Sequence, residues 1–205
     1  MPLPVDALFV LVMQDLDDET AIRTTPPTVF LRHATRAQQW VALRYRLLRE
    51  TLPFALFANT PLYSLPTRYP RMVVVTHMTR SDGTPLSPVP YTSLRYRDTA
   101  WFSTTGTPLF FYRVGWRYLG IVPVPSADET AIMSGLMLPN DLTEMASRLQ
   151  IPDAWVPQLV QVTSGLMMLS RERRYEQGVA RIMAGLGLRS AASAPSAQET
   201  AGVTG

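Results

Sequence analysis

The chain has 205 residues, no cysteine and a formal net charge of +3. That length fits one domain, or one domain with a large insertion, and missing cysteine excludes disulfides and thiolate metal sites. All 19 basic residues are arginine, so neither a lysine Schiff base nor a Walker-type phosphate loop with its lysine can form.

Val5, Leu8, Phe9, Val12 and Leu16 recur at helical spacing, with Pro4 near the start and Asp6 in the first turn. Val10, Leu11 and Met13 make the opposite face apolar as well, so this helix needs cover on several sides, from an internal core or a neighbouring subunit. The apolar run Ala7–Met13 is too short to cross a bilayer, and Asp6 stands where a signal peptide would carry a positive charge, so no membrane or secretory role is expected. Asp15, Asp17, Asp18 and Glu19 follow. They read as a solvated acidic loop rather than a cation site, because the glycine and distal glutamate of a calcium loop are missing.

A second helix is expected from a Thr25 cap through Pro26 and Pro27 in the first turn to a stop at Leu52–Pro53. Its stripe is Phe30, Ala34, Ala37, Val41, Tyr45 and Leu48, with Arg32, Arg36, Gln39, Arg46 and Arg49 away from it. The arginine face suits a solvated surface or an ion-paired subunit contact with the acidic loop. A phosphate contact is the weaker reading, since +3 is too small for strong sequence-independent DNA binding.

The span Pro61–Pro125 reads as a β-rich module. Met72–Met78 and Leu109–Val114 are strand-like runs of valine and aromatics, and Arg117–Val122 follows across a tight turn at Gly115–Trp116. Pro66, Pro70, Pro123 and Pro125 bound the strands or sit at edges. Ile132–Leu138 reads as another short strand, and Pro152 then opens a helical segment. Its periodicity runs from Trp155 through Leu166 and on through Tyr175 to Leu186, as one bent helix or two, with Gly185 and Gly187 as stops. Ser190–Gly205 is small, polar and without aromatics, so it cannot order itself by burying apolar surface.

Nothing in the chain assembles a catalytic constellation. His33 and His77 fall in different elements and read as partly buried packing residues, and neither a G-x-S-x-G elbow nor an H-E-x-x-H helix is present. No enzyme activity, cofactor or metal is therefore expected. The fold class is α+β, a helical base of N- and C-terminal helices carrying an inserted β-rich module. The expected divisions are 1–52 for the N-terminal helices, 53–140 for the β-rich module, 141–189 for the C-terminal helical segment and 190–205 for an extended tail.

Tyr63-Ser64-Leu65-Pro66 leading into Arg71-Met72-Val73-Val74-Val75, the Leu94-Arg95-Tyr96-Arg97 stretch, Gly106-Thr107-Pro108, Ile121-Val122-Pro123-Val124-Pro125 and Leu149-Gln150-Ile151-Pro152 occur in that order. Over roughly residues 5 to 188 this resembles the head-to-tail adaptor (connector or neck) proteins of tailed bacteriophages. The motifs are structural rather than chemical, so it is their order and spacing that carry the likeness. The resemblance implies a homo-oligomeric ring, generally of twelve subunits, beneath the portal protein in the virion neck. Such a ring extends the channel for double-stranded DNA and presents the surface on which tail or nozzle proteins assemble. It implies that Leu186, Leu188, Arg189, Ser190 and Pro195 dock on the portal or a neighbouring subunit. It also places Asp15, Asp17, Asp18, Glu19, Arg32, Arg36, Arg46 and Arg49 at subunit contacts or the lumen. The competing roles are another neck component such as a stopper, marked by a plainer β-barrel with fewer terminal helices, and a non-enzymatic nucleic-acid-binding module.

Overall fold

A computed structural model describes residues 2–16, 25–97, 100–170 and 174–188. Asp17, Asp18, Glu19, Arg189, Ser190, Pro195 and the tail 190–205, singled out from the sequence, lie outside the described residues. The chain divides into a helical unit, Met1–Val41 with Leu142–Gly205, and a β-rich unit, Ala42–Asp141.

In the helical unit, α1 (Val5–Leu16) buries Val5, Leu8, Val12, Met13 and Leu16, while Val10 and Leu11 on its other side are 53% and 38% exposed. It rests on α5 (Val156–Leu169). Backbone bonds from Val5 N to Ser147 O (2.9 Å) and from Leu149 N to Leu3 O (3.0 Å) fix the segment before α1 against the segment before α5. Helix α2 (Pro27–Tyr45) places Phe30 edge-on to Phe9, with ring centroids 4.9 Å apart. The fully buried Gln38 accepts from Gln150 N at 2.9 Å, and Thr35 Oγ1 accepts from Leu142 N at 3.0 Å. A short 3-10 turn, Asp153–Trp155, leads into α5.

Helix α5 is followed by a separate antiparallel helix α6 (Tyr175–Gly185), which settles the one-or-two question the sequence left open. Their backbones meet at glycines, with Gly165 against Gly178 and Gly185 against Gln158 and Val162. Helix α6 ends as the sequence indicates. Leu188 N bonds to Met183 O (2.8 Å) and Gly187 N to Ala184 O (3.0 Å), with Gly187 at φ 61°. That is a Schellman cap with the glycine where a side chain would be strained.

The second helix ends earlier than its periodicity predicts. Leu47 N bonds to Ala42 O (3.0 Å) and Arg46 N to Leu43 O (3.3 Å), with Arg46 at φ 53°. This is the same capping motif built on arginine, a left-handed conformation that costs about 1–2 kcal/mol for a residue with a Cβ. Arg46 is therefore in the cap, Arg49 begins strand β1 (Arg49–Leu56), and neither belongs to the helical arginine face. At the helix start Phe30 N bonds to the Pro26 carbonyl, so Pro26 rather than Thr25 holds the cap position.

The β-rich unit contains β1, β2 (Leu62–Ser64), the single turn α3 (Leu65–Arg68), β3 (Met72–Arg80), β4 (Pro85–Pro88), α4 (Tyr91–Arg97), β5 (Thr105–Gly106), β6 (Phe110–Val114), β7 (Tyr118–Val122), β8 (Val124–Pro125) and β9 (Glu129–Met137). Seven strands form one sheet in the order β1-β9-β3-β4-β6-β7-β2, and β5 pairs with β8 separately. Within the seven, only the β4–β6 pairing is parallel. The first two strands expected from sequence are β3 and β6; β7 follows across Gly115 at φ 61° and Trp116, and the run at Ile132 lies in the longer β9.

The sheet curls until its two edge strands face each other around one core. Phe54 and Leu56 of β1, Met78 of β3, Leu119 and Ile121 of β7 and Met133 of β9 all join that core and are fully buried. Burying each such side chain contributes about 1.5–3 kcal/mol. Phe54 meets Tyr63 of β2 with ring centroids 5.2 Å apart.

Side chains close the gap between β1 and β2. Phe57 N donates to Tyr63 Oη (3.0 Å), Arg68 Nη1 donates to Ala55 O (3.0 Å), and Tyr69 Oη donates to Pro53 O. The Arg68 guanidinium also lies 4.9 Å from the Phe57 ring centroid and 5.3 Å from that of Tyr63, a cation–π contact with both. Residues 53, 55 and 57 thus turn their backbone groups away from β9. Pro53 shares that parity and deprives the ladder of no donor, so it sits inside an edge strand instead of stopping a helix.

On the outer face, Tyr112 of β6 lies opposite Gly120 of β7 and packs with Leu94, Val122 and Trp101. The Trp101 and Tyr112 rings meet edge-on at 5.1 Å.

Candidate functional site

The sequence-selected charges are divided between the two units. Asp15 pairs with Arg181 of α6 inside the helical unit, so this carboxylate ties α1 to α6 of its own chain. Arg32 and Arg36 sit one turn apart on the exposed side of α2. Arg46 and Arg49 are exposed in the β-rich unit. Leu186 is half-buried in the α6 cap, and Leu188 beyond it is 38% exposed.

The two histidines have opposite environments. His77 is exposed on β3, against the expectation of partial burial, because a bulge between Val75 and His77 shifts the alternation of faces. His33 is buried in α2, and among the described residues neither ring nitrogen has a hydrogen-bond partner. Burial, and then the nearby Arg32 and Arg36 guanidinium groups, hold its pKa below the ordinary 6.5. The folded state therefore keeps His33 neutral, and its contribution to stability is fully present above pH 6.5. That contribution is lost as pH falls from 6.5 through the lowered folded value. His33→Leu should remove this dependence without leaving an unmet donor. Urea midpoints at pH 7.5 and pH 5 should fall less for the variant than for the parent chain. Parallel losses would show that His33 does not carry the acid sensitivity.

Among the described residues, no group of three or more His, Asp or Glu side chains is placed to hold a metal ion, and no helix is long and apolar enough to cross a membrane. What the β-rich unit offers instead is surface. Val114 and Tyr118 pair directly across β6 and β7 and are 37% and 42% exposed. Trp116 at the hairpin tip is 59% exposed, with the Arg117 guanidinium 4.6 Å from its ring centroid. Two cavities open on the same unit. One of about 120 Å³ holds the Arg80–Glu129 pair (3.3 Å); the other, of about 360 Å³, is lined by residues of β3, β4 and β6.

Sequence reading missed Arg113, which lies in the wall of the larger cavity. An arginine in an otherwise apolar strand, Phe110-Phe111-Tyr112-Arg113-Val114, was the available signal.

A family model described as SU10 adaptor protein matches residues 5–200, across both units. The chain belongs to the SU10 adaptor protein family. No curated protein matches it. As a member of that family the chain is a bacteriophage adaptor, a structural protein of the virion. Exposed apolar side chains on both units of this SU10 adaptor, Val10 and Leu11 on one and Trp116 and Tyr118 on the other, are the kind of surface that assembly covers.

Proposed function

We propose that this protein is a head-to-tail adaptor, forming a ring beneath the portal, extending the DNA channel and providing the surface on which the tail assembles. The match of the SU10 adaptor family model over residues 5–200 carries the reading. A head-to-tail contact repeated between identical subunits closes into a ring when its rotation permits, and the exposed apolar positions supply material for such contacts. Its role is geometric, without catalysis, cofactor or metal, and DNA passes without sequence recognition. Among the described residues four terminal helices accompany the curled sheet, which favours an adaptor over a stopper built as a plainer barrel. Of the arginine stripe on the second helix, only Arg32 and Arg36 remain on α2, which weakens a nucleic-acid-binding reading.

In this reading the segment after α6 attaches the ring to the portal. Truncation after Arg189 should leave the far-UV circular dichroism and the unfolding midpoint of the purified chain unchanged. In infected cells the same truncation should cause DNA-filled heads without tails to accumulate. Mass measurement of native necks should count many copies per particle. A single copy per particle would overturn the ring, and normal yields of infectious particles from the truncated protein would overturn the role of the tail.

A further inference from the structure

Strand β4 occupies only half of its lane in the sheet. It meets β3 at Met78–Leu86 and Thr79–Pro85, and β6 at Ser87–Phe110 and Pro88–Phe111. Ser87 N donates to Leu109 O and Val89 N to Phe111 O, each at 2.9 Å. The next rung of this parallel ladder would join residue 91 to Arg113. Pro90 supplies no donor, and α4 starts at Tyr91 and carries the chain away. Among the described residues, no strand then pairs with Met72–His77 of β3 on the side away from β9. None pairs with Tyr112–Val114 of β6 on the side away from β7 either.

The cavity of about 360 Å³ opens in this lane, lined by Val75, Pro88, Val89, Phe111 and Arg113 among others. Two strands flanking one missing strand stand about 9.5 Å apart, the spacing that one extended backbone fills. At the far end, Arg113 Nη2 donates to Val73 O at 2.9 Å, while its buried Nε has no partner among the described residues. An apolar lane whose backbone groups, Val73 O apart, pair with no strand among the described residues, and whose arginine has one donor unmet, asks for an extended peptide bearing a carboxylate.

We propose that this lane receives an extended segment of another virion protein, which continues β4 as a strand and sets an acidic side chain against Arg113. A second copy of this chain is the poorer fit. The carboxylates on its described strands are Glu50, paired with Arg71, and Glu129, paired with Arg80. The proposal rests on the adaptor reading for its partner, but its test is made on the purified chain, so its failure leaves the neck measurements standing.

The probe is a capped Thr-Val-Glu-Val-Thr peptide titrated into the full-length, isotope-labelled protein. The amide signals of Val75, Phe111 and Arg113 should shift, and the Arg113 amide should gain hydrogen-exchange protection. A peptide N-methylated at both valines should bind at least tenfold more weakly, because it cannot form the rungs. Arg113→Gln should weaken the peptide roughly tenfold while leaving the Thr-Val-Gln-Val-Thr analogue nearly unaffected, in keeping with a charge-assisted hydrogen bond. Equal binding by the N-methylated peptide, shifts elsewhere on the protein, or no binding at millimolar peptide would overturn the proposal. Self-association that Arg113→Gln abolishes would overturn the choice of partner and assign the lane to a second copy.

Discussion

Gly165→Ala should destabilise the protein, although alanine is the better helix former by about 1 kcal/mol. A Cβ at position 165 would sit 2.7 Å from the Gly178 carbonyl oxygen and 2.7 Å from Ile182 Cγ1. The contact is reciprocal, since a Cβ at Gly178 would lie 2.8 Å from the Gly165 carbonyl. These obstacles are mainly backbone, which cannot rotate aside, so α5 and α6 must separate. Separation would expose Leu166, Met167 and Ile182, all buried. Overpacking typically costs about 1–3 kcal/mol for a small insertion, so Gly165→Val should reach or pass the top of that range. Against a total stability of about 5–15 kcal/mol this is a large fraction. Urea unfolding followed at 222 nm would show it as a lower midpoint. The double variant Gly165→Ala/Gly178→Ala should cost less than the sum of the singles, because one separation relieves both clashes. A higher midpoint for Gly165→Ala would mean that propensity decides and that the helices do not meet there.

Gly120→Val should do comparable damage to the β-rich unit. A Cβ there would fall 1.9 Å from Tyr112 Cζ and 2.4 Å from its hydroxyl oxygen. The tyrosine ring lies flat over the glycine and uses the space a side chain would need, a cross-strand arrangement that compensates glycine's weakness in a strand. Valine has the higher strand propensity, so a scale of propensities alone predicts stabilisation. Eviction of Tyr112 instead breaks its edge-on contact with Trp101 and uncovers Leu94 and Val122. The expected loss is about 2–4 kcal/mol, together with a changed near-ultraviolet dichroism signal as the aromatic cluster loosens. Burial, and then Tyr91, raise the Tyr112 phenol above its ordinary value of 10. In the variant that phenol should titrate closer to 10. Unchanged spectra and unchanged stability would show that Tyr112 does not depend on Gly120.

The sequence disclosed those features that follow from periodicity and composition. A valine-rich run marked β3, aromatics marked β6, and Gly187 marked the end of α6 because a left-handed cap favours glycine. The end of α2 was hidden because its cap uses Arg46, a residue type that carries no stop signal, and the apolar stripe runs on by count to Leu48. Pro53 then read as a helix stop, although an edge strand with its outward parity tolerates proline equally well. Pairing geometry was not legible at all. The vacant rung at Arg113 depends on which strand lies beside which, and no local pattern carries that. Asp15 was legible as a charge, but not Arg181 as its partner, since 166 positions separate them in the chain.

The division of the helical unit between the two ends of the sequence governs the order in which a ribosome can complete the fold. Helix α1 finds its cover on α5, and all of Ala42–Asp141 is synthesised in between. At about 5–20 residues per second that interval lasts roughly 5–20 s, during which α1 is made but α5, on which it rests, is not. The β-rich unit is continuous in sequence and emerges whole before α5 exists, so it can fold first while α1 waits. Nascent chains released before Leu142 should therefore carry a folded sheet and an α1 that lacks its α5 cover, the state in which a chaperone would engage them.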